Sequence, residues 1–411
     1  MSDHDIRFDR RKFVIGGVTI FGGISLISDR AKAMAGLSRR AIDAIEPDRT
    51  LLLLELSGGN DGLSTIVPMP EDDLFKARRY TGLVKQGLMP IDDYRGFNEN
   101  LKELYAFFKD GRLGIVEGVG YPQPNHSHFT SFDIWHTANA RGKAAGDGWI
   151  GKLLANLYPQ DPRVPHGYCI GQTIPYSFVS GTHPVVCFDT PSAYQFGTDG
   201  KAIAGVTRED MKAGTKESTL AKIRTAVQNA STTSDEVLKA VGSYKPRVAY
   251  PNSDLGRDLK MAAALLQSQI GCRVVSVTQN GYDTHENQKV RHDALMAELS
   301  QGLSAFLKDV QGTESGDRIL VVAFSEFGRR VADNASLGTD HGTAGPMFVA
   351  GTPVKGGLYG KHSSLQDLEE GDLKFTTDFR RAYATVLQGW FKVQPETVLG
   401  ASYDPIPFLK A

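Results

Sequence analysis

The sequence predicts an α/β fold on a largely parallel sheet, and three observations carry that expectation. Short apolar runs recur, and each stops at a polar, glycine-bearing loop. Longer stretches between them repeat their apolar residues at three and four, the spacing of a helix face. A hydrophobic fraction of 41% against 23% charged residues is globular composition, neither that of a disordered chain nor that of a multi-span membrane protein. Strand, polar loop, helix and strand in that order favour a parallel sheet, whose ligands gather at the carboxyl ends of the strands.

Taken in order, Leu51-Leu52-Leu53-Leu54-Glu55-Leu56 reads as a buried strand running into the tight loop Ser57-Gly58-Gly59-Asn60-Asp61-Gly62. Leu113 to Val119 stops at Gly120, Val274 to Thr278 at Asn280-Gly281, and Ile319 to Phe324 at Ser325-Glu326-Phe327-Gly328. Leu255 to Ile270 and Val290 to Val310 carry helical spacing, as does Phe375 to Phe391, which is expected to pack on the sheet. The stretch from about 161 to 253 differs, with Pro and Gly punctuation followed by the polar, helix-prone segment 208–241. It is expected to form an insertion or cap within a single domain spanning 36–411.

The chain of 411 residues is long enough for a large core. Its 46 basic and 47 acidic residues leave a net charge of −1, which argues against nucleic acid as the partner. Cys169, Cys187 and Cys272 form no CxxC pair, so neither a disulfide scaffold nor a cysteine zinc site is expected, and a single bridge stays open. Near the N-terminus, Arg10-Arg11 precedes the uncharged run Phe13 to Ile27 and then Ala33-Met34-Ala35. This is the pattern of a twin-arginine signal peptide over residues 1–35, and the run is shorter than the ~20 residues a spanning helix needs. The expected partner is the twin-arginine export machinery, the expected location periplasmic or secreted, with no stable transmembrane span in the mature chain. Changing Arg10 and Arg11 together to Lys should leave uncleaved precursor in the cytoplasm; export of that variant at the wild-type level contradicts the assignment.

The loops at the strand ends hold residue types that bind metals. Asp61 follows the first strand, Asp283 and His285 follow the third, Glu326 follows the fourth, and Asp340-His341 lie in a later turn. Mixed carboxylates and imidazoles suit zinc, manganese or iron, with magnesium where carboxylates dominate. Each residue also has a plainer reading. An Asp in a glycine-rich turn bonds its own backbone, and Asp340 can be the carboxylate that fixes a neighbouring ring rather than a ligand. The loop Asn125-His126-Ser127-His128-Phe129 leads into a helical stretch. Ser127 there is either an N-cap or a nucleophile at the positive end of a helix dipole, and His126 and His128 are acid/base groups or further ligands. Arg329 is either a clamp for an anionic substrate or half of a solvated basic pair. No Gly-x-Ser-x-Gly elbow, phosphate loop or dinucleotide fingerprint occurs.

Five pieces carry a resemblance: Leu54 to Gly62, Ser127-His128-Phe129, Tyr282-Asp283-Thr284-His285, Ser325-Glu326-Phe327-Gly328-Arg329 and Gly338-Thr339-Asp340-His341-Gly342. Together they resemble the bacterial family called domain of unknown function 1501, in order from about Leu51 to Phe391. The resemblance implies an alkaline phosphatase and sulfatase-like fold, with a central sheet between helices and a site for one or two divalent metals at the strand ends. It implies Asp61 as a metal-binding carboxylate beside the nucleophile and Ser127 near the nucleophile position. Asp283, His285 and His341 would be ligands of one metal. Glu326 stands where relatives carry an Asp-His pair, and no His follows it. The expectation is an exported metal-dependent hydrolase of phosphate or related esters acting on a small anionic ester, with Ser127, His128 and Arg329 at the reacting group. The alternative is a non-catalytic envelope or secretion-associated protein with the same fold.

Overall fold

In the computed structural model, which describes residues 49–139, 146–159, 165–191, 233–268 and 270–410 and a two-residue ladder at Val14–Ile15 and Val18–Thr19, the leucine run forms the middle of the sheet. Strand β1 (Thr50–Ser57) is flanked by β5 (Val274–Asn280) and β6 (Ile319–Phe324), both parallel to it. Beyond β5 lie β3 (Gly167–Ile170) and β4 (Val185–Phe188), again parallel. Beyond β6, β7 (Gly345–Ala350) runs antiparallel and pairs with β2 (Leu113–Gly120). β8 (Gly357–Gly360) and β9 (Thr377–Asp378) both pair with β2 in parallel. The result is a nine-stranded, mostly parallel mixed sheet.

Side chains alternate across a strand, so β1 feeds two cores at once. Leu52, Leu54 and Leu56 join one cluster with α1 (Lys102–Lys109), α4 (Asp254–Gln267) and α5 (Gln288–Val310). Leu51 and Leu53 join the opposite cluster with α2 (His128–Thr137), α3 (Trp149–Leu157) and α6 (Phe379–Ala384). Helix α5 buries Met296, Leu299, Leu303, Phe306 and Val310, one face at three-and-four spacing. Helix α4 starts where the Ser253 hydroxyl accepts the Gly256 amide, a side-chain N-cap. Each fully buried leucine contributes about 1.5–3 kcal/mol, so the run in β1 anchors the loops that follow it.

The expected insertion is sheet at its start, because β3 and β4 extend the edge beyond β5. Their signal was hidden by length: four residues such as Gly-Tyr-Cys-Ile between prolines and glycines show no run. Residues 192–232, with most of the polar segment, lie outside the described residues, as does the leader apart from its short ladder. Among the described residues no helix is long and apolar enough to cross a membrane. Cys169, Cys187 and Cys272 are free and buried, Cys169 and Cys187 being register partners on β3 and β4.

Candidate metal centre

Three loops close over one another at the carboxyl ends of β1, β5 and β6, and the sequence Ser57-Gly58-Gly59 makes the closure possible. Gly58 and Gly59 have φ of +119° and +77°. A Cβ on Gly58 would lie 2.3 Å from the Asp283 amide nitrogen, and one on Gly59 would lie 2.4 Å from the Phe327 ring. Only glycine allows this approach of backbones. The guanidinium of Arg329, 1% exposed, ties the loops together. Its Nε donates to Gly59 O at 2.8 Å and its Nη1 to Thr339 O at 2.8 Å. Nη2 donates to the carbonyls of Gly58 and Tyr282 and to Asp283 Oδ1. Arg329 is therefore an internal clasp, each of its three nitrogens donating to groups of the fold.

Around that clasp the side chains of His128, Asp283 and His341 present ligand atoms that all lie within 4.8 Å of one another. Asp283 Oδ1 is 3.5 Å from His128 Nε2 and 3.2 Å from His341 Nε2. His285 lies at the edge of this triad, its Nε2 3.2 Å from the same oxygen and 2.8 Å from His341 Nε2. The separations from Asp283 Oδ1, 3.2 to 3.5 Å, are close to the roughly 3.3 Å between donors that bond one ion at about 2.0–2.1 Å.

The rings are aimed by what each holds at its other nitrogen. His128 Nδ1 meets Glu326 Oε1 at 2.7 Å, His341 Nδ1 meets the His126 carbonyl at 2.6 Å, and His285 Nδ1 meets Asp340 Oδ1 at 3.3 Å. A carbonyl and two carboxylates only accept, so each Nδ1 carries a proton, which leaves Nε2 as the nitrogen each ring can offer to a cation. With those nitrogens deprotonated, three imidazole lone pairs and a carboxylate oxygen face one another, an arrangement that a cation among them stabilises. His128 Nε2 is also buried without a hydrogen-bond partner. Such an orphan costs ~1–3 kcal/mol, and a metal ion satisfies it.

The Glu326 hydrogen bond raises the pKa of His128 above its ordinary value, against the effect of burial. Burial lowers that of His341, which favours its neutral form. Burial pushes the Asp283 carboxyl up, but the hydrogen bonds from Arg329 and His341 prevail and hold it at about 2, ionised at any physiological pH. A hydrogen bond from Asn334 leads the causes that lower Asp340.

The other expected ligands lie behind or apart from this set. Glu326, fully buried, accepts from the Gly58 amide at 2.9 Å and from the Ser325 hydroxyl at 2.9 Å, and its contact with the set is through His128. Asp340 stands behind His285 and also accepts from Asn334 at 3.0 Å. Asp61 is placed elsewhere. Its carboxylate, 1% exposed, is paired in two-pronged fashion with buried Arg78 and accepts further from Ser64 at 2.7 Å and from Gln288. Burial raises its pKa, yet Arg78 overcomes that and holds the group far below the usual carboxylate range. Ser127 is exposed at the N-terminus of α2, and its hydroxyl makes no capping bond there. Sequence reasoning missed Arg78, which no motif marks, and the carbonyl of His126, a contact invisible at the level of residue type.

A family model described as "Protein of unknown function (DUF1501)" matches residues 117–400. No curated protein sequence matches the chain. Among solved structures, the C-terminal periplasmic domain of EcEptC from Escherichia coli, in complex with Zn, is similar at 12% identity over 74% of each chain, with a TM-score of 0.37. The protein described as Ps i-CgsB in complex with k-i-k-neocarrahexaose is similar at 10% identity over 86% of this chain and 73% of that one, with a TM-score of 0.34.

Proposed function

We propose that this chain, which belongs to the family described as protein of unknown function DUF1501, is an exported, metal-dependent hydrolase of phosphate or related esters with an alkaline phosphatase-like site. The observation that carries the reading is the convergence of His128, His285 and His341 Nε2 on Asp283 Oδ1, each ring tethered at Nδ1. A donor set of three imidazoles and one carboxylate suits zinc, manganese or iron better than magnesium, which prefers oxygen. Held by these residues, a cation would supply Lewis-acid chemistry to the ester oxygens and to an attacking water.

The chain's own groups would do the rest. Ser127 offers a solvent-facing hydroxyl at the positive end of α2, one residue before the ligand His128, where it or a water can attack the ester in line. Glu326 fixes the His128 ring, and Arg329 holds the Asp283 carboxylate in place. A twin-arginine leader would deliver the folded, loaded protein across the membrane.

One observation favours the second reading, a non-catalytic envelope or secretion-associated protein with a structural cation. The carboxylate of Asp61, which would hold a second cation, is engaged by Arg78. Hydrolysis separates the two. Full-length protein loaded with zinc or manganese should hydrolyse p-nitrophenyl phosphate or p-nitrophenyl sulfate. Asp283→Asn should lose both cation and turnover, and Ser127→Ala should keep the cation while turnover falls by about 100-fold, the scale of one activated nucleophile or acid/base group. Loaded, folded protein that turns over neither ester nor a wider phosphate and sulfate panel overturns the hydrolase.

A further inference from the structure

A large cavity, about 760 Å³, opens at the carboxyl ends of β1, β3 and β5, on the side of the metal centre away from β6. That is within the size range of small-molecule sites, and the ends of parallel strands are where such sites form. The strands that wall it run straight on into the metal loops. Ser57 lines the cavity and Gly58 donates to Glu326; Asn280 lines it and Asp283 follows three residues later.

Helix α2 joins the two places. His128 at its first turn faces Asp283, while Phe132 and His136, at i+4 and i+8, line the cavity. His128 and His136 share a helix face about 12 Å apart along the axis.

The cavity wall carries a feature that stability alone does not call for. Glu55 breaks the leucine run of β1, and its carboxylate, nearly buried, lies 2.8 Å from His136 Nε2. Replacing such a buried pair by apolar side chains is commonly neutral or stabilising, so stability does not account for its place at the cavity wall. Thr278 and Asn280 of β5 add polar groups, and Phe132 and Tyr176 add ring faces. Arg257 meets Asp258 at 3.0 Å and Asp254 at 2.8 Å, and with Asp189, Glu55 and Glu298 the lining holds more carboxylates than cations.

We infer that this cavity seats the alcohol portion of the substrate, and that this portion is hydroxylated and carries no negative charge. The inference rests on the hydrolase reading for the word substrate. The anionic ester group would lie at the metal centre, and the acidic cavity repels a second anion while its hydroxyls, amides and carboxylates bond sugar-like hydroxyls.

Three sugars sharing one ring test it: glucose, glucosamine and glucuronate, titrated at millimolar concentration into the full-length, metal-loaded protein and followed by saturation-transfer NMR. Glucose and glucosamine should bind, with glucuronate at least ~10-fold weaker, a difference of about 1.4 kcal/mol. Thr278→Trp, which fills the cavity from a partly exposed strand position, should abolish binding of both. Binding is read without turnover, so a protein that hydrolyses nothing can still pass this test. Equal binding of glucuronate overturns the charge assignment. No binding of any of the three, or binding unchanged in folded Thr278→Trp, overturns the site.

Discussion

Replacing His341 by alanine is expected to lower divalent-cation affinity by at least ~100-fold, while Asp61→Asn leaves it within a few-fold of the wild type. Even groups that only orient a ligand typically cost 10–100-fold in affinity when changed, and His341 supplies a donor atom itself. Its Nε2 is 3.2 Å from Asp283 Oδ1 and 2.8 Å from His285 Nε2, so its removal opens one side of the set. Asp61 has both oxygens committed to Arg78, Ser64 and Gln288, and its charge acts there rather than on the cation. Competition against a chromophoric chelator on both folded variants decides the matter. Equal losses in the two would place Asp61 among the ligands.

The second large effect is on stability. Arg78→Met should destabilise the fold by about 3–5 kcal/mol, because it leaves the Asp61 carboxylate buried without its counter-charge. The double variant Arg78→Met with Asp61→Asn should recover much of that loss, since the cost belongs to the uncompensated charge. Urea unfolding of the single and double variants measures both, and additive losses would contradict the pairing. The pH dependence has a fixed sign. Asp61 has a folded pKa depressed below its unfolded value of ~3.9, so its contribution is complete above that value and disappears as pH falls toward the folded pKa. The wild type should lose stability on acidification below about pH 4 more steeply than the double variant.

What the sequence made legible follows from how local each signal is. The four apolar runs became β1, β2, β5 and β6, and the stretches before and after β5 became α4 and α5, because period and length alone define them. His128, Asp283, His285 and His341 all sit in the motifs that stood out, since donors at strand ends are visible as residue types in glycine-rich loops. The division between donors and the groups behind them was not legible. Glu326 and Asp340 are carboxylates like Asp283, and only distance reveals that they hold Nδ1 protons instead. The pairing of Asp61 with Arg78 was hidden for a related reason: the arginine lies 17 residues on, at a helix end that carries no motif. The clasp formed by Arg329 depends on four backbone carbonyls, which no side-chain pattern encodes.

We propose one divalent cation per chain, held by His128, Asp283, His285 and His341, with Asp61 kept from a second site by Arg78. Elemental analysis of the folded wild-type protein, purified without chelator, tests it most directly. One equivalent of zinc, manganese or iron per chain is the predicted result. Two equivalents, or a folded protein that holds none and takes up none on addition, would contradict it.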